Sequence, residues 1–327
     1  MRAICRTGAS SVELRDIRVP AATPNHVVIK TTACGINAGD KAWLAGLFPE
    51  IPASLRDVCG ACASGVVIAT GKGVPSRYLG RKIAVYRSLK ASSDCLGVWS
   101  EFARIHYLNT ALLPEDVDEA DYSASLVNAV SAHVFLDQVV RAGHRAVVCT
   151  AGTSATGRSL LGACHARNIP IISIVRTEAG KALLSRFAAV HVLATADGEF
   201  DPKLQELCAE LGATAVFDGV GGALAGRVAM AMPPGSTIYC YGFLAGGEPL
   251  AFHSSLLLMR SLTFISFSVL RPLVRDKETL NRLLAGVEEI IAMPQFRTVT
   301  GRTFGFETVA EALAWQSPDC GRAVLKP

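Results

Sequence analysis

The residues with chemical potential in this chain are small residues, cations and cysteines that fall at defined spacings. Val147, Val148 and Cys149 form an apolar run that stops at Ala151, Gly152, Thr153, Ser154, Ala155, Thr156 and Gly157. Leu160, Leu161, Ala163, Cys164 and Ala166 then recur with a helical period. A helix N-terminus offers unpaired backbone N–H groups and a positive dipole end, which a pyrophosphate reaches only where side chains leave the backbone bare. Small residues leave it bare. The turn keeps Gly152 and Gly157 but lacks the full GxGxxG pattern, so by itself it serves equally well as a plain strand-to-helix turn. Its context sharpens the reading. Pro170 leads into Ile171, Ile172, Ser173, Ile174 and Val175, and that run ends at Arg176, with Lys181 one turn into the next helix. A carboxylate at such a strand end accepts from the ribose 2′-hydroxyl of NAD, whereas a guanidinium accommodates the 2′-phosphate of NADP. No acid occurs before Glu178, so residues 147–176 read as a nucleotide-binding βαβ unit that prefers NADP(H) to NAD(H).

The ten cysteines raise the question of metal or disulfide chemistry. Cys59-Gly-Ala-Cys62 has a ligand-like spacing, but Cys5, Cys34, Cys95, Cys149, Cys164, Cys208, Cys240 and Cys320 stand alone, several within apolar runs. Buried thiols that pack as small hydrophobes account for this distribution, and no metal is expected.

The elements around these residues change character along the chain. Up to about residue 105 short strands dominate (27–31, 65–69, 82–86 and 100–104), broken by Pro24-Asn25, Gly71-Lys72-Gly73 and Gly80. Residues 121–142 read as mostly helical. Beyond them helices (182–187, 202–211, 222–232) alternate with strands (190–193, 215–218, 237–242, 262–269), the pattern of a parallel sheet covered on both faces. The tail adds a helix at 276–292, a strand at 302–306, a short helix at 310–316 and a strand at 322–325. Gly242 and Phe243 end one strand and Phe267 the next, at the carboxyl edge where open α/β sheets bind ligands.

The 327 residues suit two domains, and with half of them hydrophobic and 18% charged they can bury large cores. The 32 basic and 28 acidic residues give a net charge of +4 without runs, so neither a nucleic-acid nor a membrane footprint is visible, and small neutral or anionic ligands stay open. No stretch approaches a membrane span and the N-terminus lacks the apolar core of a signal peptide, so a cytoplasmic protein is expected.

Taken in order, Cys34-Gly-Ile-Asn-Ala-Gly-Asp40, Gly65-Val-Val67, Gly97-Val-Trp-Ser-Glu-Phe102, Val127-Asn-Ala-Val-Ser-Ala132, Phe217-Asp-Gly-Val-Gly-Gly222 and Gly321-Arg-Ala-Val-Leu325 resemble the medium-chain dehydrogenase/reductase superfamily over nearly the whole chain. The resemblance is nearest to the zinc-independent quinone oxidoreductases and the 2-enoyl-thioester reductases. It implies an α/β fold with a Rossmann-type NADP-binding domain (121–269) and a β-rich GroES-like catalytic domain (1–120 and 270–327). Zinc alcohol dehydrogenases of the superfamily use a Cys in the first motif and a Gly-His-Glu further on. Here Asn37 and Gly60-Ala61-Cys62 stand there, and a lone cysteine cannot supply the three ligands a catalytic zinc needs.

What the resemblance then implies is hydride transfer from NADPH to a quinone, an α,β-unsaturated carbonyl or an enoyl thioester. Asn37 and Asp40 fall at the nicotinamide and substrate mouth, Asp40 with the alternative of capping the helix that follows, and Ser131 matches a hydroxyl that the reductases place near the nicotinamide. Gly219, Val220, Tyr241, Gly242, Phe243 and Phe267 join the turn, Arg176 and Lys181 as cofactor contacts, and Trp43 and Phe48 as substrate contacts. The enoyl reductases carry a tyrosine near position 48; phenylalanine donates no proton, which moves weight to quinones and enones whose product solvent can protonate. A catalytically idle NADPH-binding interaction protein is the competing class. Strand 262–269, without Pro or charge and last in its sheet, implies a homodimer centred on residues 264–268.

Overall fold

The computed structural model describes residues 1–8, 10–46, 58–90, 97–268, 276–317 and 321–327. Contacts divide the chain into two compact units, Met1–Val130 with Leu270–Pro327, and Ser131–Val269.

The first unit opens with an antiparallel hairpin, β1 (Arg2–Gly8) and β2 (Ser11–Asp16). β3 (His26–Gly35) follows, then α1 (Ala38–Leu44), β4 (Cys62–Thr70), β5 (Lys82–Tyr86), β6 (Phe102–His106) and β7 (Thr110–Leu112). β3 is buried along most of its length because it lies inside the sheet, paired with β4 and β6. A 3-10 turn, Glu119–Tyr122, is capped by the Asp118 carboxylate, and only then does α2 (Ser125–Arg141) begin. The single helix expected over 121–142 is thus a capped turn followed by a shorter helix.

The second unit alternates strand and helix: β8 (Ala146–Cys149), α3 (Ala155–Ala166), β9 (Ile171–Val175), α4 (Glu178–Ser185), β10 (His191–Ala194), α5 (Phe200–Leu211), β11 (Ala213–Asp218), α6 (Gly222–Ala231), β12 (Thr237–Cys240), α7 (Ser255–Arg260) and β13 (Thr263–Ser266). Every pairing is parallel, in the order β10-β9-β8-β11-β12-β13. This is a doubly wound sheet whose strand order reverses between β8 and β11. Its inner strands are apolar on both faces because helices cover both, and Val148, Ile172, Ile174, Phe200, Leu204, Val216 and Ile238 form its core. β13 is shorter than expected, although the Phe267 N–H still bonds the Cys240 carbonyl, and residue 269 lies outside the described residues. α7 was not anticipated. Its Leu258 and Met259 are 81% and 78% exposed, so it lacks the amphipathic signal of a buried helix.

The chain then returns to the first unit with α8 (Lys277–Ile290), β14 (Thr300–Gly305), α9 (Val309–Ala314) and β15 (Arg322–Lys326). β15 pairs antiparallel with β3 and parallel with β14, giving the order β14-β15-β3-β4-β5-β7, with β6 also on β3. No helix among the described residues is long and apolar enough to cross a membrane.

Candidate functional site

At the carboxyl edge of the parallel sheet, Ala151 takes a left-handed φ of 52° and turns the chain from β8 into α3. Gly157 is required by close approach, since a Cβ there would lie 2.6 Å from the Ala151 carbonyl oxygen. Ser154 caps α3, its hydroxyl accepting from the Gly157 N–H at 3.0 Å, and the Ala155 N–H has no partner among the described residues. The Arg176 side chain is exposed at the end of β9 without an ion-pair partner among the described residues, whereas Lys181 pairs with Glu178 at 2.7 Å. That pair is a surface i,i+3 contact worth little, so it leaves the lysine available to a stronger anion.

The next loop is shaped by a carboxylate that motif reading passed over. Asp218 is buried at the end of β11 and accepts from the Thr150 hydroxyl at 2.6 Å and from the N–H groups of Val220 and Gly221 at 3.1 and 3.0 Å. The Thr150 hydroxyl in turn accepts from the Gly219 N–H. Gly219 and Gly242 are held face to face, since a Cβ on Gly242 would stand 2.6 Å from the Gly219 carbonyl oxygen. The Tyr241 ring lies over Gly219 and stacks on Phe217, their centroids 3.9 Å apart. Phe267 meets Phe217 and Phe135 edge-on, which makes it part of an internal aromatic cluster, while Phe243 is exposed. The open helix start, the close-packed glycines and the free guanidinium fit a dinucleotide carrying a 2′-phosphate: Ala151 to Gly157 would hold its pyrophosphate and Arg176 its 2′-phosphate.

In the first unit, Asn37 and Asp40 flank the start of α1. Asp40 is buried, and its carboxylate accepts the Asn37 N–H at 2.8 Å and the Ala61 N–H at 2.9 Å, closing α1 and tying it to the chain before β4. Burial raises its pKa, against the pull of those N–H groups and of the Arg87 and Arg322 charges. The Asn37 side-chain nitrogen is buried, makes no well-formed hydrogen bond, and adjoins the Cys62 thiol. Burial raises the Cys34 and Cys62 thiols and pushes Cys59 up to about 12, so these cysteines are neutral near pH 7. Among the described residues all eight cysteines are free, and no group of three His, Cys, Asp or Glu is arranged to hold a metal.

Trp43 is buried under the guanidiniums of Arg6 and Arg87, 4.7 and 5.7 Å from its ring centre, and Ser131 is half-buried on α2. Phe48 lies outside the described residues. Besides Thr150 and Asp218, sequence reading missed Tyr86 and Arg322, which share the neighbourhood of Cys62 and Asp40. No local motif marks either residue. Strand register and the late return of β15 bring them there.

A family model for the alcohol dehydrogenase GroES-like domain matches residues 23–115, and one for zinc-binding dehydrogenases matches residues 155–286. The rat synaptic vesicle membrane protein VAT-1 homolog is 26% identical over 227 residues, covering 68% of this chain and 53% of that protein. The chain thus spans about half the length of the first curated relatives it matches. The mitochondrial enoyl-[acyl-carrier-protein] reductase of Eremothecium gossypii is 23% identical over 270 residues, 77% of this chain and 71% of that one. Among solved structures, a native mycobacterial quinone oxidoreductase superposes with a TM-score of 0.79 over all of both chains at 23% identity. A mycobacterial protein complexed with NADPH does so at 0.77, also at 23% and over all of both chains. These likenesses in structure show the fold. The two family models together span most of the chain and identify it as a member of the medium-chain dehydrogenase/reductase superfamily, and quinone oxidoreductases and enoyl reductases are among the proteins it is similar to.

Proposed function

We propose that the protein is an NADPH-dependent, zinc-independent reductase that delivers hydride to a quinone or an α,β-unsaturated carbonyl. The observation that carries this reading is the exposed Arg176 at the end of β9, without an ion-pair partner among the described residues and next in the fold to the open N-terminus of α3. A guanidinium there binds a 2′-phosphate with charge-assisted bonds, and bound NADPH supplies the hydride. Asn37, standing where the zinc enzymes have a cysteine, supports a reaction without a Lewis-acid metal. Asp40, with both oxygens on backbone N–H groups, acts in this reading by holding Asn37 in place. Trp43 and Phe48 are kept as substrate-side residues and Ser131, Tyr241, Gly242, Phe243 and Phe267 as cofactor-side residues. The related enoyl reductases make an enoyl thioester the second acceptor class. The test is NADPH oxidation against a panel of quinones, enones and enoyl thioesters, with NADH run in parallel. Turnover of a quinone or enone with NADPH is expected; NADPH binding without turnover of any acceptor would leave an idle binding protein.

The assembly in this reading is a cytoplasmic homodimer. Among the described residues β13 pairs only with β12, so one edge of it is open, and Leu257, Leu258 and Met259 are exposed on the preceding helix. A two-fold pairing of β13 with its own copy would satisfy that edge. Light scattering is expected to show a dimer that Ile265→Pro disrupts, and a native monomer would sink the proposal.

A further inference from the structure

Within the first unit, β3 changes partner along one edge. β6 pairs with it up to the Lys30–Phe102 register, and β15 joins the same edge only at Cys34–Leu325. On the other edge the register with β4 shifts between Thr31 and Ala33, a bulge that re-aims the side chains there. A cavity of about 420 Å³ opens at this gap, lined by Lys30, Thr31 and Thr32 of β3, by Glu101 and Phe102 where β6 begins and by Lys326 where β15 ends. Its volume falls in the range of small-molecule sites, about 300 to 1,000 Å³. Consecutive strand residues point to opposite faces, so a cavity lined by all three enters the sheet at its edge.

The polar groups around it are used unequally. Glu101 closes on Arg2, accepting its backbone N–H at 2.8 Å and its guanidinium at 2.9 Å, and Arg2 also pairs with Glu307. The Thr32 hydroxyl donates to Glu119 at 2.9 Å, and Glu119 in turn pairs with Lys82 at 3.6 Å. Lys30 and Lys326, by contrast, are exposed and have no ion-pair partner among the described residues. The Thr31 hydroxyl is buried in the wall and makes no hydrogen bond among the described residues. A buried hydroxyl left unpaired is unfavourable, and an acceptor brought by a ligand removes that penalty. Half-buried Phe102, Pro327 and the lysine stems add an apolar wall.

We propose that this cavity binds a small organic phosphate monoester. Such a group carries about −1.5 to −2 charges near pH 7, which the two unpaired ammoniums match. Its oxygens accept from the Thr31 hydroxyl, and its apolar remainder lies against Phe102. A carboxylate would meet the same cations with about half the charge. The site uses no residue of the dinucleotide edge, so it stands independently of the reductase reading.

The experiment titrates the full chain with phenyl phosphate by calorimetry at low ionic strength, with inorganic phosphate and phenol alongside. One site per chain is expected, at least about fivefold tighter for phenyl phosphate than for inorganic phosphate, with no binding of phenol. The double change Lys30→Gln and Lys326→Gln is expected to weaken phenyl phosphate at least about tenfold, and a thermal melt establishes that these exposed substitutions leave the fold intact. Arg176→Ala, which removes the guanidinium offered to a cofactor phosphate, is expected to change nothing. Thr31→Val keeps the shape and removes the orphan hydroxyl, so it should raise the melting temperature of the empty protein while weakening phenyl phosphate about threefold or more. Absence of binding by the wild type overturns the proposal. So does binding that Arg176→Ala abolishes and the lysine changes spare, which would assign the anion to the helix start in the second unit. Equal affinities for phenyl phosphate and inorganic phosphate overturn the organic ligand, and a Thr31→Val protein that binds as the wild type does overturns the part given to the hydroxyl.

Discussion

Among the described residues each unit buries one aspartate beside its candidate site, and the two differ in how they are satisfied. Asp218 ends β11 with three donors on its carboxylate, one of them the Thr150 hydroxyl at 2.6 Å, and these fix the loop from Gly219 to Gly221. Asp40 has two backbone donors, with Arg87 and Arg322 near enough to act by charge, and burial still raises its pKa. The difference shows what each carboxylate does. Asp218 is a fully engaged tie for a loop that would carry cofactor. Asp40 is an under-satisfied one in a cluster that retains a buried amide nitrogen and a protonated phenol.

The sharpest way to break this comparison is to remove the carboxylates. Asp218→Ala leaves three donors unmet in the interior and is expected to cost about 3 to 5 kcal/mol in urea unfolding, with loss of NADPH binding. Asp40→Ala should cost less, on the order of 2 to 3 kcal/mol; an equal or larger loss would show that the Arg87 and Arg322 charges depend on it more than the hydrogen bonds imply. The sign of the Asp40 shift adds a pH arm. A carboxyl with a raised folded-state pKa stabilises most when protonated, below its unfolded value near 3.8, and loses that contribution as pH rises through the folded value. The stability of wild type relative to Asp40→Asn is therefore expected to improve on acidification towards pH 4.

At the cofactor edge, Arg176→Ala is expected to weaken NADPH binding at least about tenfold, about 1.5 to 3 kcal/mol, and to leave NADH binding nearly unchanged, as read by fluorescence titration. Equal losses for both cofactors would place the 2′-phosphate elsewhere. A smaller effect is expected from His106 in the first unit. Burial, with repulsion from His26, Lys90 and Lys277, lowers it from 6.5 to about 4. Its contribution is present above the unfolded value and is lost as pH falls through the folded one. His106→Gln should therefore retain, between those values, on the order of 1 kcal/mol that wild type loses, after allowance for its partial exposure. The smallest expected effect is none at all. Chelators should change neither melting temperature nor activity, and elemental analysis showing one zinc per chain would contradict the reading of the buried Cys59 and Cys62 as packing residues.

Residues 147–176 were legible in the sequence because everything that defines them is local. An apolar strand, a small-residue turn, a helical period and a cation at the second strand end all lie within one βαβ unit, and periodicity and dipole need no distant partner. The parallel sheet and the return of the tail were likewise visible as alternating patterns. The β1–β2 hairpin, the capped turn before α2 and exposed α7 were not read, since short or non-amphipathic elements leave weak periodicity. The chemistry within each unit was decided by tertiary structure. Thr150 meets Asp218 across 68 residues of chain because β8 and β11 are neighbours only after the crossover. Tyr86 meets Cys62 through β-register, and Arg322 reaches the Asp40 neighbourhood only because β15 returns to pair with β3. Burial and partner choice depend on such non-local contacts, so composition and spacing identify which residues could react while packing determines their protonation and their neighbours.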